Sequence, residues 1–183
     1  NDGTAGGAIQ ALIEEGLEVE VLDRLIASFA AAARESGVAV VAGDTKVVRR
    51  GEGGGLYLAT TGVGVKDRNL KLGMQQIRAG DAILVSGPVG DHGIAVMFAR
   101  EQFGLRGDLQ SDSASVYPLT RSLATLPGLR FMRDPTRGGL ATVMHEIAQA
   151  TGLGIQLRES AIPVRDPVAS VCEMLGYDPM YLA

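Results

Sequence analysis

One cysteine, two histidines and no tryptophan leave this chain of 183 residues poor in the side chains that build disulfides, thiolate metal centres and stacking surfaces. Cys172 alone excludes an internal disulfide and any four-cysteine metal site. It is compatible with a reducing compartment. His92 and His145 lie too far apart in sequence for metal-ligand spacing, so a zinc site has little support. Aromatics are four Phe and four Tyr without interleaved basic residues, which gives no platform for single-stranded nucleic acid. The net charge is −4 and no Lys/Arg block occurs, which argues against a phosphate-backbone surface. No apolar run approaches the roughly 20 residues that a membrane span needs, and no cleavable signal is read. The expectation is a cytoplasmic protein with no nucleic-acid and no membrane partner. The sequence opens Asn1-Asp2 and closes Tyr181-Leu182-Ala183, and reads as a piece of a longer chain.

Against those scarcities stand 25 glycines, clustered in loops, and 46% hydrophobic residues, the balance of a soluble globular protein. Residues 3–16 suit a short strand or a helix turn. Leu17, Val21, Leu22, Leu25, Ile26, Phe29, Ala30 and Ala33 recur at helical spacing, and Gly37 stands where a C-terminal cap belongs. Val38–Ala42 reads as a buried strand, Arg49–Gly55 as a glycine-rich turn and Leu56–Val65 as a second strand. After a polar stretch with no clear period, Ala82–Ser86 reads as a third buried strand. Ile94–Gln102, Val116–Leu126, Leu140–Ala150 and Pro167–Leu175 read as helices; Leu129–Met132 and Ile155–Leu157 read as short strands. Composition and periodicity predict α/β or α+β, with domains at 1–70 and 71–183.

Three glycine-bracketed polar stretches could carry chemistry. Gly43-Asp44-Thr45-Lys46 follows a predicted strand, where open α/β sheets place ligands. Asp44 could hold Mg²⁺ and Lys46 could meet a phosphate, but Gly-Asp is also ordinary turn composition. The lysine lacks the frame of a P-loop. Gly90-Asp91-His92-Gly93 offers His92, on a predicted loop, for proton transfer. His145 sits mid-helix and reads as a partly exposed helical residue. Arg133-Asp134-Pro135-Thr136-Arg137-Gly138-Gly139-Leu140 runs straight into a predicted helix. Bare backbone N–H groups and the helix dipole would suit a phosphate there, with Thr136 and Arg137 beside them and Asp134 for the accompanying Mg²⁺. Equally, Asp134 or Thr136 could simply cap the helix. Cys172 lies among apolar residues with no base or cation supplied, and is not read as a nucleophile.

Taken in this order, these stretches, with Val85-Ser86-Gly87, Ala161-Ile162-Pro163-Val164 and Val171-Cys172-Glu173-Met174-Leu175-Gly176, resemble the HypE-type hydrogenase maturation proteins. The resemblance covers nearly the whole chain. Those proteins share a PurM-like, aminoimidazole ribonucleotide (AIR) synthase-like fold with selenophosphate synthetase and thiamine monophosphate kinase. The resemblance implies two α/β domains, mixed sheets flanked by helices, a homodimer and an ATP-dependent carbamoyl dehydratase. In that family a carbamoyltransferase partner of the HypF type loads a C-terminal cysteine. ATP phosphorylates the carbamoyl oxygen, and loss of phosphate leaves a thiocyanate whose cyano group passes to iron on a HypC–HypD-type carrier. The implied cofactors are ATP and Mg²⁺. Asp2, Asp44 and Asp134 would be metal-side carboxylates. Thr45, Asp91, Thr136, Arg137, Gly138 and Gly139 would bind nucleotide, and Lys46 and His92 would be catalytic.

Against the family pattern the chain lacks the acidic, glycine-rich N-terminal segment and the acceptor-cysteine tail. It is also several residues shorter between Asn1-Asp2 and Glu14-Glu15-Gly16, where the pattern supplies a whole strand. Without the tail the chain alone is expected not to complete the reaction. Other readings are a kinase or synthetase of the same fold acting on a small metabolite, and a dimerising module without turnover.

Overall fold

The computed structural model describes residues 6–100 and 104–183. They divide into two compact units, one of residues 6–70 with 115–121 and one of residues 71–100, 104–114 and 122–183.

The first unit is built on a three-stranded sheet of order β2-β1-β3. Strand β1 (Gly6–Glu14) is its centre. It pairs parallel with β2 (Ala39–Val48) and antiparallel with β3 (Leu56–Val63). The stretch left open between strand and helix turn is therefore a full strand, so the shortened segment keeps the strand that the family pattern supplies there. Ladders on both edges decide between two conformations that Gly-Gly-Ala-Ile-Gln-Ala-Leu-Ile-Glu allows equally by composition. The parallel connection from β1 to β2 is made by α1 (Val19–Glu35), the crossover helix that such a pairing requires. Glu20 in its first turn and Arg34 in its last complement the helix dipole.

Strand β2 corrects a second expectation. Gly43-Asp44-Thr45-Lys46 is not a turn after the strand but its interior, because the ladder to β1 continues to the pair Glu14 and Val48. The turn comes afterwards. There the Glu14 carboxylate accepts the backbone N–H groups of Gly51 and Gly55, the latter at 2.9 Å. These bonds hold its carboxyl below the ordinary glutamate value.

The second unit carries helices α2 (Asp91–Ala99), α4 (Gly139–Thr151) and α5 (Asp166–Leu175). Helix α3 (Tyr117–Leu123) begins among residues that belong with the first unit. Ile94, Val168, Val171 and Cys172 form a buried cluster where α2 meets α5. Complete burial of such aliphatic side chains stabilises by about 1.5–3 kcal/mol each. Pro167 sits in the first turn of α5, where its missing N–H costs nothing.

No strand occurs in this unit among the described residues. Ala82–Ser86, Leu129–Met132 and Ile155–Leu157, all expected as strands, run without a ladder. Leu84 is 84% exposed rather than buried. Their apolar composition has strand character, but a strand exists only against a hydrogen-bonded neighbour. None of the described helices is long and apolar enough to cross a membrane.

Candidate nucleotide site

The Arg133–Leu140 stretch enters α4 through two consecutive glycines in the left-handed region, Gly138 at φ 71° and Gly139 at φ 65°. No side chain caps this helix. The capping alternative therefore does not describe the stretch. Asp134 is instead held by its neighbour: the Thr136 hydroxyl donates to its carboxylate and, with backbone N–H groups and the Arg133 charge, keeps the carboxyl below the ordinary aspartate value. Asp134 faces solvent, as do Thr136 and Arg137. Arg133 is turned back onto α4, where its guanidinium pairs with Glu146. Arg137 is the cation of this stretch that stays beside the helix start.

Gly139 is itself buried, and the reason lies in a part of the chain that sequence reading passed over. A Cβ at Gly139 would strike the backbone carbonyl of Met180 and come within 2.6 Å of the carbonyl carbon of Tyr181. The short 3-10 turn Pro179–Tyr181 is therefore the floor under the helix start. Asp178 closes that turn, accepting the Met180 N–H at 2.9 Å. The available signal was Asp178-Pro179, a capping side chain ahead of a proline.

The Gly90–Gly93 stretch opens α2 rather than forming a loop, because Gly90 is the left-handed residue before the helix. Asp91 is 2% exposed and pairs through Oδ2 with Arg165 Nε at 2.7 Å. Its Oδ1 is buried without a hydrogen-bond partner. His92 is exposed, and its Nδ1 lies 2.8 Å from the Ser111 hydroxyl. The same C-terminal stretch reaches this helix start too: Gly93 N–H donates to the Ala183 carbonyl at 2.9 Å, and Leu182 lies 3.5 Å from the position of a Gly93 Cβ. The structure thus gathers the second and third polar stretches onto one segment, Asp178–Ala183.

In the first unit Asp44 and Lys46 share a face of the sheet, opposite Gln10 and Leu12 of β1. Thr45 points to the other face. All three are exposed. Asp2 lies outside the described residues. Among those residues no group of three or more His, Cys, Asp or Glu is placed to hold a metal. That donor set does not build an all-protein cage. It does suit Mg²⁺ carried on phosphates, which needs only one or two carboxylates from the protein. His145 is exposed in the middle of α4. Cys172 is buried, and burial, aided by the Asp178 charge, raises its thiol pKa, the opposite of an activated nucleophile.

Comparison with known proteins gives consistent results. The model of the N-terminal domain of AIR synthase related proteins matches residues 5–66, and that of the C-terminal domain matches residues 78–182. Carbamoyl dehydratase HypE of Azotobacter vinelandii is 50% identical over 173 residues, 94% of this chain and 51% of that protein. The HypE of Escherichia coli is 46% identical over 189 residues, 100% of this chain and 56% of that protein. The chain therefore spans about half the length of these relatives. Among solved structures, hydrogenase maturation protein HypE in complex with ATP superposes with a TM-score of 0.91 at 41% identity, covering 99% of this chain and 54% of that one. A HypE–HypF complex superposes with a TM-score of 0.92 at 40% identity, covering 99% and 60%.

Proposed function

The chain belongs to the AIR synthase related protein family, and from that premise we propose that it is the nucleotide-handling part of a carbamoyl dehydratase serving nickel–iron hydrogenase maturation. The observation that carries this reading is the uncapped, double-glycine start of α4 beside the Thr136-held Asp134. Backbone N–H groups at such a start point outward and carry the positive end of the helix dipole. They bind phosphate oxygens, and Arg137 adds a permanent charge to the same task, while Thr136, its hydroxyl proton given to Asp134, fixes that carboxylate beside them. Asp134 receives the metal that accompanies the phosphates. In the first unit Asp44 is the proposed metal-side carboxylate and Lys46 the proposed cation, both exposed on one face of β2, while Asp2 and Thr45 keep the metal and nucleotide roles that the resemblance implies. Asp91 steadies the start of α2 through Arg165, and His92 stands at that start for proton transfer.

When bound, ATP supplies the phosphoryl group that turns the oxygen of a thiol-bound carbamoyl group into a leaving group. The protein's part is to neutralise the phosphates, hold them in line and keep Lys46 where negative charge develops. The reading places the protein in the cytoplasm as a homodimer. It gives the protein a HypF-type carbamoyl donor and a HypC–HypD-type iron carrier as partners, and it assigns Mg²⁺ to the metal role.

Calorimetric titration of the chain with ATP, with and without Mg²⁺, tests this. Saturable binding is expected. Arg137→Ala should weaken it roughly 10- to 100-fold, the size of one hydrogen bond to a charged group. An absence of binding in the parent chain sinks the proposal.

A further inference from the structure

We propose that Asp178 is a positioning residue for the start of α4, acting through the turn Pro179–Tyr181 and resting on the nucleotide reading above. Two of the three hydrogen bonds that close the turn end on Asp178, the third running from the Leu182 N–H to the Pro179 carbonyl at 3.1 Å. Its carboxylate accepts the Met180 N–H at 2.9 Å, and its backbone carbonyl accepts the Tyr181 N–H at 3.1 Å. The turn leaves no slack beneath Gly139, whose missing Cβ would overlap the Met180 carbonyl. Any movement of that carbonyl moves the peptide that begins the helix. Downstream, Leu182 packs 3.6 Å from the Cβ position of Gly90, and Ala183 accepts the Gly93 N–H. One carboxylate thus sets a segment that supports two helix starts in the same unit.

A cap that served only stability would lower the unfolding midpoint and leave the local geometry of the surviving fold alone. A positioning residue changes the Gly138–Gly139 amides in the folded protein. Hydrogen–deuterium exchange over residues 138–142 and 91–95, measured with ATP affinity and urea unfolding on the whole chain, separates these roles. Asp178→Ala should raise exchange in the first window and weaken ATP binding about fivefold, the size of one lost capping bond. Exchange in β1–β3 should not change. Asp178→Asn keeps an acceptor oxygen and should restore both readouts. Asp178→Glu carries its carboxylate one methylene past the Met180 amide and shares the expectation for alanine, should alanine not fold. Unchanged exchange at 138–142 in the alanine and glutamate variants overturns the proposal, as does failure of asparagine to restore it. If the parent chain binds no ATP, the nucleotide reading fails alone, and the exchange arm still decides whether Asp178 sets the helix start.

Discussion

Replacing Gly139 by alanine measures how tightly the floor of the candidate site is built, provided two other glycines serve as rulers. Gly152, which ends α4, has φ 70° and nothing within 4 Å of its Cβ position. There an alanine feels only the left-handed backbone, a cost of about 1–2 kcal/mol. Lower unfolded-state entropy returns roughly 0.4–1 kcal/mol, for a net loss near 1 kcal/mol. Gly139 has nearly the same φ, 65°, but its Cβ would overlap the Met180 carbonyl and lie 2.7 Å from Tyr181 Cα. Backbone cannot rotate away as a side chain can, so overpacking adds about 1–3 kcal/mol. Gly139→Ala should therefore lose about 2–4 kcal/mol in all. Gly138, φ 71°, is the intermediate ruler, because its Cβ would meet the Thr142 side chain, which can turn aside. Urea unfolding followed by far-ultraviolet circular dichroism ranks the variants. The expected order of damage is Gly139, then Gly138, then Gly152. Equal losses at Gly139 and Gly152 would mean that the turn does not press on the helix start, and the positioning argument would lose its base.

Other consequences are open to direct measurement. Ile94→Ala removes the centre of the buried cluster and should cost about 2–5 kcal/mol in urea unfolding; a loss below 1 kcal/mol would show that the cluster can collapse around the gap. Arg165→Ala strips the Asp91 carboxylate of its cation and should cost about 1–3 kcal/mol, whereas removing a surface pair costs almost nothing. Glu14 has a depressed folded pKa, so its contribution is present above the ordinary value of 4.5 and is lost as pH falls through the lower folded value. The amide resonances of Gly51 and Gly55 should shift in that acid window and stay flat in Glu14→Gln. Native Cys172 should resist a thiol-specific disulfide reagent until denaturant exposes it; fast reaction at neutral pH would contradict its buried, raised-pKa state.

Periodicity revealed the elements whose signal is local. The stripe from Leu17 to Ala33, the run from Leu140 to Ala150 and the proline-led Pro167–Leu175 segment all correspond to helices whose faces and ends are written in neighbouring residues. Strands were legible where apolar and β-branched residues run together, as in Val38–Ala42 and Leu56–Val65. Leu56–Val63 stands out, yet β1 and the far half of β2 are decided by each other across the sheet, overriding the turn composition of Gly43-Asp44. The apolar run Ala82–Ser86 shows the converse, a strand-like sequence without a ladder. At the candidate site, residue types along Arg133–Gly139 pointed to phosphate. They did not disclose that Thr136 holds Asp134, nor that Asp178 and Met180 lie beneath Gly139, because those relations arise only once the chain has returned on itself.

The order of strands in the sheet also bears on how the chain is made. β1 is the central strand, yet it leaves the ribosome before either neighbour, and its parallel partner follows only after the whole of α1. Until residues 39–48 emerge, both edges of an apolar strand stand open to any other extended chain. Synthesis of this unit therefore passes through a stage in which its eventual centre is unpaired, a stage that closure by α1 and β2 ends on one edge and β3 on the other.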